Sequence, residues 1–314
     1  MPILTKPAVT GTSNSQLGTY LGLSAVFIGM IILFSSLSDY FFSAATFLAI
    51  ANEVPALMVM AVGMTFVLII AGIDLSVGSV LAFSAAATAN AILQWHWGTI
   101  PAAGLGLMIG LACGALTGWI SVTWRLPTFI VSLGMLEAVR GGAYALTDSR
   151  TQYVGSAMGG LAAPWIGGIS SAFFLALGMV VVAQVILSRT VFGRYVVGIG
   201  TNEEAMRLAG INPNPIRIAV FAASGFLAGL AGLMQSARLE AADPNSGTGI
   251  ELQVIAAVVI GGTSLMGGRG SVINTFFGVL IITVLEAGLA QIGVSDPSKR
   301  IITGCVIVVA VIID

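Results

Sequence analysis

Lysine is nearly missing from this chain: Lys6 and Lys299 are the only two in 314 residues. Neither follows a glycine, so there is no G-x-x-x-x-G-K-[ST] phosphate loop, and the chain cannot be an ATPase of that type by itself. Histidine occurs once, at His96, and cysteine twice, at Cys113 and Cys305. His96 stands between Trp95 and Trp97 without a companion ligand and suits an aromatic belt at a membrane boundary. Both cysteines lie in apolar runs with no partner at metal-ligand spacing, which points to buried thiols. No metal site and no cofactor of its own are expected. Nucleophile, base and orienter do not cluster anywhere, which leaves an intramembrane enzyme little support.

Charge is equally scarce. Only 8% of the residues are charged, against roughly 25% in soluble domains, while 57% are apolar and the mean hydropathy is +1.02. Such a chain belongs in a bilayer. A spanning helix needs about 20 mainly apolar residues, whereas barrel strands alternate over about 10. The runs here are long and do not alternate, so they read as helices.

Ten segments emerge, over residues 18–38, 47–72, 76–94, 100–123, 127–146, 170–188, 216–237, 250–262, 271–292 and 300–314. The eighth and tenth are short enough to be partial or re-entrant. The expected fold is therefore an all-α polytopic membrane protein with about ten (eight to ten) transmembrane or re-entrant helices. Residues 1–17 would form a cytoplasmic tail and 18–314 one transmembrane domain. The first apolar run is longer than a signal-peptide core and starts well inside the chain, so it is read as retained. With ten spans and the N-terminus inside, Lys6, Arg125, Arg189, Arg194, Arg207, Arg217 and Arg269 are cytoplasmic. Arg150, Arg238, Lys299 and Arg300 are then outside, and the bias favours this orientation. The longest outer connection, 147–170, carries Tyr153 and Trp165 as interface anchors.

Glycines recur where helices must meet. Gly106, Gly110, Gly114 and Gly118 fall every four residues in one span, and Gly225, Gly229 and Gly232 line another, so backbones can approach closely in lipid. Packing within one subunit is the favoured reading over a dimer seam. Two other glycine clusters interrupt helices: Gly72-Ile73-Asp74-Leu75-Ser76-Val77-Gly78 and Gly262-Thr263-Ser264-Leu265-Met266-Gly267-Gly268 share G-x-x-L-x-x-G. They read either as a weak internal repeat of broken helices facing a cavity or as two ordinary turns. Asp74, Ser76, Gly78, Gly262, Ser264 and Gly268 are accordingly the candidates for a translocation path or a helix break. Asp74 with Ser76 could cap the helix starting near Val77, and capping or pairing is preferred to ligand binding. Glu137 and Arg140, three apart, would share a helix face and neutralise each other. Glu286 has no obvious neighbour in sequence.

The charge that the spans lack gathers between Gly193 and Pro215. Thr201 or Asn202 can cap a short helix whose first turn holds Glu203 and Glu204, where carboxylates favour the positive end of the helix dipole. Gly210 supplies the stop, with Pro213 and Pro215 beyond it. About two turns result. Too few apolar residues are present to span a membrane, and docking to a cytoplasmic partner is preferred to lying on the bilayer.

Four separated stretches carry a resemblance. AVGMTFVLIIAGIDLSVGSVLA (61–82), LPTFIVSLGMLEAVRGGAYALT (126–147), GRYVVGIGTNEEAMRLAGIN (193–212) and GTGIELQVIAAVVIGGTSLMGGRGS (247–271) resemble the membrane permease of bacterial ribose-type sugar importers. The resemblance implies a homodimeric pore in the inner membrane. It also implies a cytoplasmic ATP-binding cassette ATPase that uses ATP and Mg, and a periplasmic sugar-binding protein. Membrane lipid is a further partner and nucleic acid is not. Residues 201–212 would be the coupling helix, with Asn202, Glu203, Glu204, Ala205, Arg207 and Gly210 as its coupling candidates. Glu204, Ala205 and Gly210 match the family's motif, and Met206 departs from the usual Glu-Ala-Ala order. The rivals are a permease for nucleosides or branched-chain amino acids and, more distantly, a secondary transporter.

Overall fold

The chain folds, in a computed structural model describing residues 12–313, into thirteen helices. These are α1 (Thr12–Leu37), α2 (Ala44–Ile69), α3 (Val77–Leu93), α4 (Thr99–Trp124), α5 (Thr128–Thr147), α6 (Gly159–Ala162) and α7 (Ser171–Arg189). They continue as α8 (Val191–Thr201), α9 (Glu203–Leu208), α10 (Pro213–Leu239), α11 (Ile250–Ile260), α12 (Val272–Gln291) and α13 (Asp296–Ile313). Each of the ten expected segments has its helix. Six of these, α2, α4, α5, α7, α10 and α12, are long and apolar enough to cross a membrane by length and composition. The apolar helices α3 and α11 are shorter, as is the stretch Leu21–Leu37 of α1. Helix α1 starts at Thr12, ahead of the expected 18, because hydropathy detects the apolar run and misses a polar first turn. Lys6 and the rest of the expected tail up to residue 11 lie outside the described residues.

Helix α2 is the hub, buried over most of its length and packed on α7, α10, α11 and α12. Two polar contacts inside the bundle fix it and its neighbour. Thr65 and Thr275 share a hydrogen bond of 2.9 Å between α2 and α12. Gln184 of α7 accepts from the free amides of Val272 and Ile273 at 2.9 and 3.2 Å, closing the start of α12 where no water is needed. The glycine rows of α4 and α10 face each other within the chain. A side chain at Gly110 would stand 3.0 Å from the Gly229 Cα, and one at Gly225 only 2.8 Å from the Gly114 Cα. The apolar outer positions meet no protein: Ile100 is 87% exposed, which in a bilayer means facing lipid. That also corrects the expectation for the cysteines, since Cys113 is half-buried and Cys305 exposed.

The helix ends sort into two groups. At one end Asn52 bonds the backbone of Gly168 and Ser170, Asn90 donates to the Leu146 carbonyl, and Thr99 donates to Ala157. Here lie two small antiparallel pairs: β1 (Gln152–Tyr153) with β4 (Ala241–Ala242), and β2 (Pro164–Ile166) with β3 (Ile169–Ser170). Tyr153 and Trp165 are 77% and 68% exposed on this end, as interface anchors would be. At the other end meet Ile69, Thr128, α8 and the turn around Gly268.

Candidate functional site

The charged segment 193–215 forms two helices, α8 and α9, joined at Asn202. Asn202, not Thr201, is the cap: its Oδ1 accepts from the Ala205 amide at 2.9 Å, while the Thr201 hydroxyl turns back to the Val197 carbonyl. Thr201 is still inside α8, so its side chain points along the wrong helix. Glu203 lies at the centre, accepting from Arg207 at 2.7 Å and from Arg217 of α10 at 2.6 Å. Burial alone would raise its carboxyl, but the two guanidinium groups outweigh it and hold Glu203 below the ordinary carboxylate range. Helix α9 stops by a two-bond lock: Gly210 N–H donates to the Arg207 carbonyl and Ile211 N–H to the Met206 carbonyl. Gly210 takes φ +79°, which favours glycine. Glu204, Ala205 and Leu208, the last 82% exposed, remain on the outer surface.

Contacts the sequence does not announce fix α8 and α9 to the bundle. The Met206 side chain covers Gly198 of α8, where any Cβ would stand 2.6 Å from its sulfur. A Cβ added at Gly200 would run into the Ile69 carbonyl and stand 2.6 Å from the Gly268 nitrogen, and one at Gly267 would meet Ala71. Gly268 N–H closes the junction by donating to the Ile69 carbonyl at 2.8 Å. The two glycine breaks therefore touch each other, and α8 ends on both.

They differ in conformation. Residues 70–76 run as irregular chain, with the Ile73 amide donating to Thr128 Oγ1 at 3.0 Å and its carbonyl accepting from Ser132. Hydroxyls of α5 thus replace the helical partners of this segment. Residues 264–269 close as a turn, with Ser264 N–H donating to the Arg269 carbonyl and with Gly262, Gly267 and Gly268 all at positive φ. A shared G-x-x-L-x-x-G does not give a shared backbone. Asp74 is 1% exposed and accepts from the Ser76 amide at 3.0 Å, the Ser76 hydroxyl at 2.6 Å and Ser224 of α10 at 3.4 Å. Ser76 makes no side-chain cap to α3, because its own hydroxyl is spent on Asp74. Gly78 faces Gly247 and Glu251 at the start of α11.

The expected Glu137–Arg140 pair does not form. Arg140 instead donates to the Pro244 and Ser246 carbonyls at 2.6 and 2.7 Å, leaving Glu137 exposed. The two carbonyl contacts in the 243–249 loop were invisible to a rule about neighbours on one helix. Glu286 does have a partner: it accepts from Gln253 of α11 at 2.6 Å.

Glu286 and Gln253 line a polar cavity of about 340 Å³ near the β2–β3 end, enclosed by α2, α10, α11 and α12. Glu53 and Arg238 approach to 3.7 Å across it. A second cavity of about 530 Å³ adjoins it and shares Glu53, Gln253 and Glu286. Of these groups only Glu286 stood out in the sequence. The usable signal was polar residues inside otherwise apolar segments, at Glu53, Gln235, Gln253 and Glu286. Among the described residues, no group of three or more His, Cys, Asp or Glu could hold a metal ion.

No solved structure matches the chain. It is 40% identical over 313 residues to the ribose import permease protein RbsC of Haemophilus influenzae, covering 96% of each. RbsC of Escherichia coli K12 is 39% identical over 290 residues, 91% of this chain and 90% of that one. The fructose import permease protein FrcC of Rhizobium meliloti is 33% identical over 306 residues, 94% of this chain and 83% of that one. Residues 46–311 match the family described as branched-chain amino acid transport system, permease component. The match spans most of the chain and agrees with its apolar helices, so the chain belongs to this family of membrane permeases.

Proposed function

We propose that the chain is the permease subunit of an ATP-binding cassette importer for a monosaccharide, ribose first, in a bacterial inner membrane. The ten expected segments then cross or enter the bilayer, with α8 and α9 cytoplasmic and the β1–β4 end periplasmic. Two copies would form the pore. A cytoplasmic ATPase would supply ATP and Mg chemistry, and a periplasmic binding protein would select the sugar. The observation that carries the coupling part is α9, a capped helix anchored through Glu203 and Met206 with Glu204, Ala205 and Leu208 left outward. Such a helix has no role in a secondary transporter.

Closure of the ATPases would displace α9, and α8 would carry that displacement to the junction at Ile69, Ala71, Gly267 and Gly268. Differential contacts in outward- and inward-open states must provide the bias. The relatives' names favour ribose over the branched-chain amino acids in the family description, and the fructose permease makes a hexose the second reading. The test is co-reconstitution of the chain with a ribose-binding protein and its ATPase in proteoliposomes. ATP-dependent uptake of labelled ribose is expected; uptake without nucleotide, or of leucine in place of sugars, would overturn the reading.

A further inference from the structure

Polar groups inside an apolar bundle are costly unless something occupies them. The cavity between α2, α10, α11 and α12 collects Glu53, Gln235, Arg238, Gln253 and Glu286 in a chain with very few charges. Gln253 and Glu286 are bonded to each other at 2.6 Å, but the other groups are not fully consumed by the protein. Among the described residues, Gln235 has no side-chain hydrogen bond, and Glu53 and Arg238 meet only as a loose pair at 3.7 Å. Ser170, 6% exposed and lining the same cavity, has a buried hydroxyl with no protein partner. That hydroxyl adds one more polar group without a protein partner beside the cavity, where buried polar atoms are usually bonded.

Size and chemistry narrow the occupant. A volume of about 340 Å³ stands at the low end of ligand pockets, which run from about 300 to 1,000 Å³. The lining offers carboxylates, amides, one guanidinium and two hydroxyl residues, a mixture of donors and acceptors. Two carboxylates against one cation disfavour an anion. An apolar solute would leave their remaining donors and acceptors unpaired. Vicinal hydroxyls, each both donor and acceptor, satisfy all of them.

We infer that this cavity is a transit site for a neutral sugar, with Glu286 and Gln253 on one wall, Glu53 and Arg238 on another, and Ser170 at its rim. The inference rests on the sugar-import reading and locates the sugar inside that path. The adjoining cavity, sharing Glu53, Gln253 and Glu286, gives the site a second face through which the sugar can pass toward α13.

The experiment introduces Gln235→Cys, at a partly exposed position of the cavity lining, into a chain whose Cys113 and Cys305 are replaced by serine, in the complete importer purified with its ATPase. Modification of the new thiol by a small methanethiosulfonate is timed with and without D-ribose. Protection should follow site occupancy, slowing modification roughly tenfold when ribose stands at about ten times its dissociation constant. Betaine at equal concentration should give none. In parallel, Gln253→Ala, which also removes the donor to Glu286, should lower ribose uptake about tenfold at equal amounts of folded importer, whereas Gln253→Asn should keep part of it. No protection by ribose, in an importer whose unsubstituted form takes up ribose, overturns the transit site and leaves the importer reading standing. Absence of ribose uptake by the unsubstituted importer overturns that reading instead.

Discussion

Replacing Gly210 by valine alters one backbone preference and almost nothing else. Gly210 has φ +79°, and a Cβ added there would meet nothing within 4 Å, so no packing is disturbed. The cost is conformational: left-handed backbone disfavours an L side chain by roughly 1–2 kcal/mol, with a β-branched residue at the upper end. That is small beside the roughly 5–15 kcal/mol that holds a domain together. It is large beside what holds α9. The Asn202 cap contributes about 1 kcal/mol, and the half-exposed pairs of Glu203 with Arg207 and Arg217 about 0.2–1 kcal/mol each. A penalty of 1–2 kcal/mol therefore lowers the ratio of docked to frayed α9 by a factor of roughly 5–30.

Hydrogen exchange across Ala205–Ile211 should quicken by that factor while the melting temperature of the detergent-solubilised chain stays put. In proteoliposomes with the partner ATPase and binding protein, sugar uptake per ATP hydrolysed should fall in step. Asparagine, which tolerates left-handed backbone, should recover most of it at the same position. Normal uptake by the valine variant at equal membrane content would refute the reasoning, and so would an asparagine variant no better than valine.

Three further outcomes are expected. Because Glu203 titrates below its unfolded value, its stabilisation is present above the ordinary carboxylate range and lost as pH falls through the lowered folded value. The exchange protection of α9, corrected for the intrinsic pH dependence, should therefore fall on acidification below about pH 4.3, the free glutamate value, and Glu203→Gln should flatten that dependence. Arg140→Met removes the donor to the Pro244 and Ser246 carbonyls and should cost about 1.5–3 kcal/mol, read as a lower melting temperature with new protease cleavage at 243–249. Gly114→Ala forces a methyl against the backbone of Phe221 and Gly225 and should cost about 1–3 kcal/mol. Gly104→Ala, on the same helix with open space around it, should be neutral or stabilise by up to about 1 kcal/mol. Equal melting temperatures for the two alanine variants would contradict the α4–α10 seam.

The parts of this molecule that one segment determines by itself were legible. Long apolar runs gave the helices, the Asn202 and Gly210 signals gave the ends of α9, and the glycine spacing of α4 and α10 gave a close helix contact. What escaped depends on residues far apart in the chain. Glu286 looked unpartnered because Gln253 lies on another helix, and Arg140 was assigned to Glu137 because proximity along a helix is the only neighbourhood a sequence displays. Arg217 entered only as a mark of orientation, yet it holds Glu203 across 14 positions. Hydropathy also could not separate protein-facing from lipid-facing surface, since both want apolar side chains. Cys305 was misplaced for that reason.

The glycines where the breaks meet α8 are better understood through what they keep out. At Gly200, Gly267 and Gly268 backbone lies on backbone, and the Gly268 amide is bonded to the Ile69 carbonyl. A side chain in any of those contacts could change rotamer and absorb a small displacement; peptide planes cannot. Motion of α8 must therefore move Ile69 and Ala71 or break that bond. From Ala71 the chain runs as irregular backbone through Asp74 to Ser76, and Gly78 in the first turn of α3 rests against Gly247 and the first turn of α11. Helix α11 carries Gln253, and Gln253 reaches Glu286 in the polar cavity. Asp74 fits this route as a clamp: its bonds to Ser76 and Ser224 tie the irregular segment to α10. Continuity of contact is a geometric fact and coupling an energetic one, so the two arrangements of a bistable element are still required to join them. In the importer proposed here the candidate for that element is residues 70–76, where hydroxyls of α5 stand in for helical partners of Ile73.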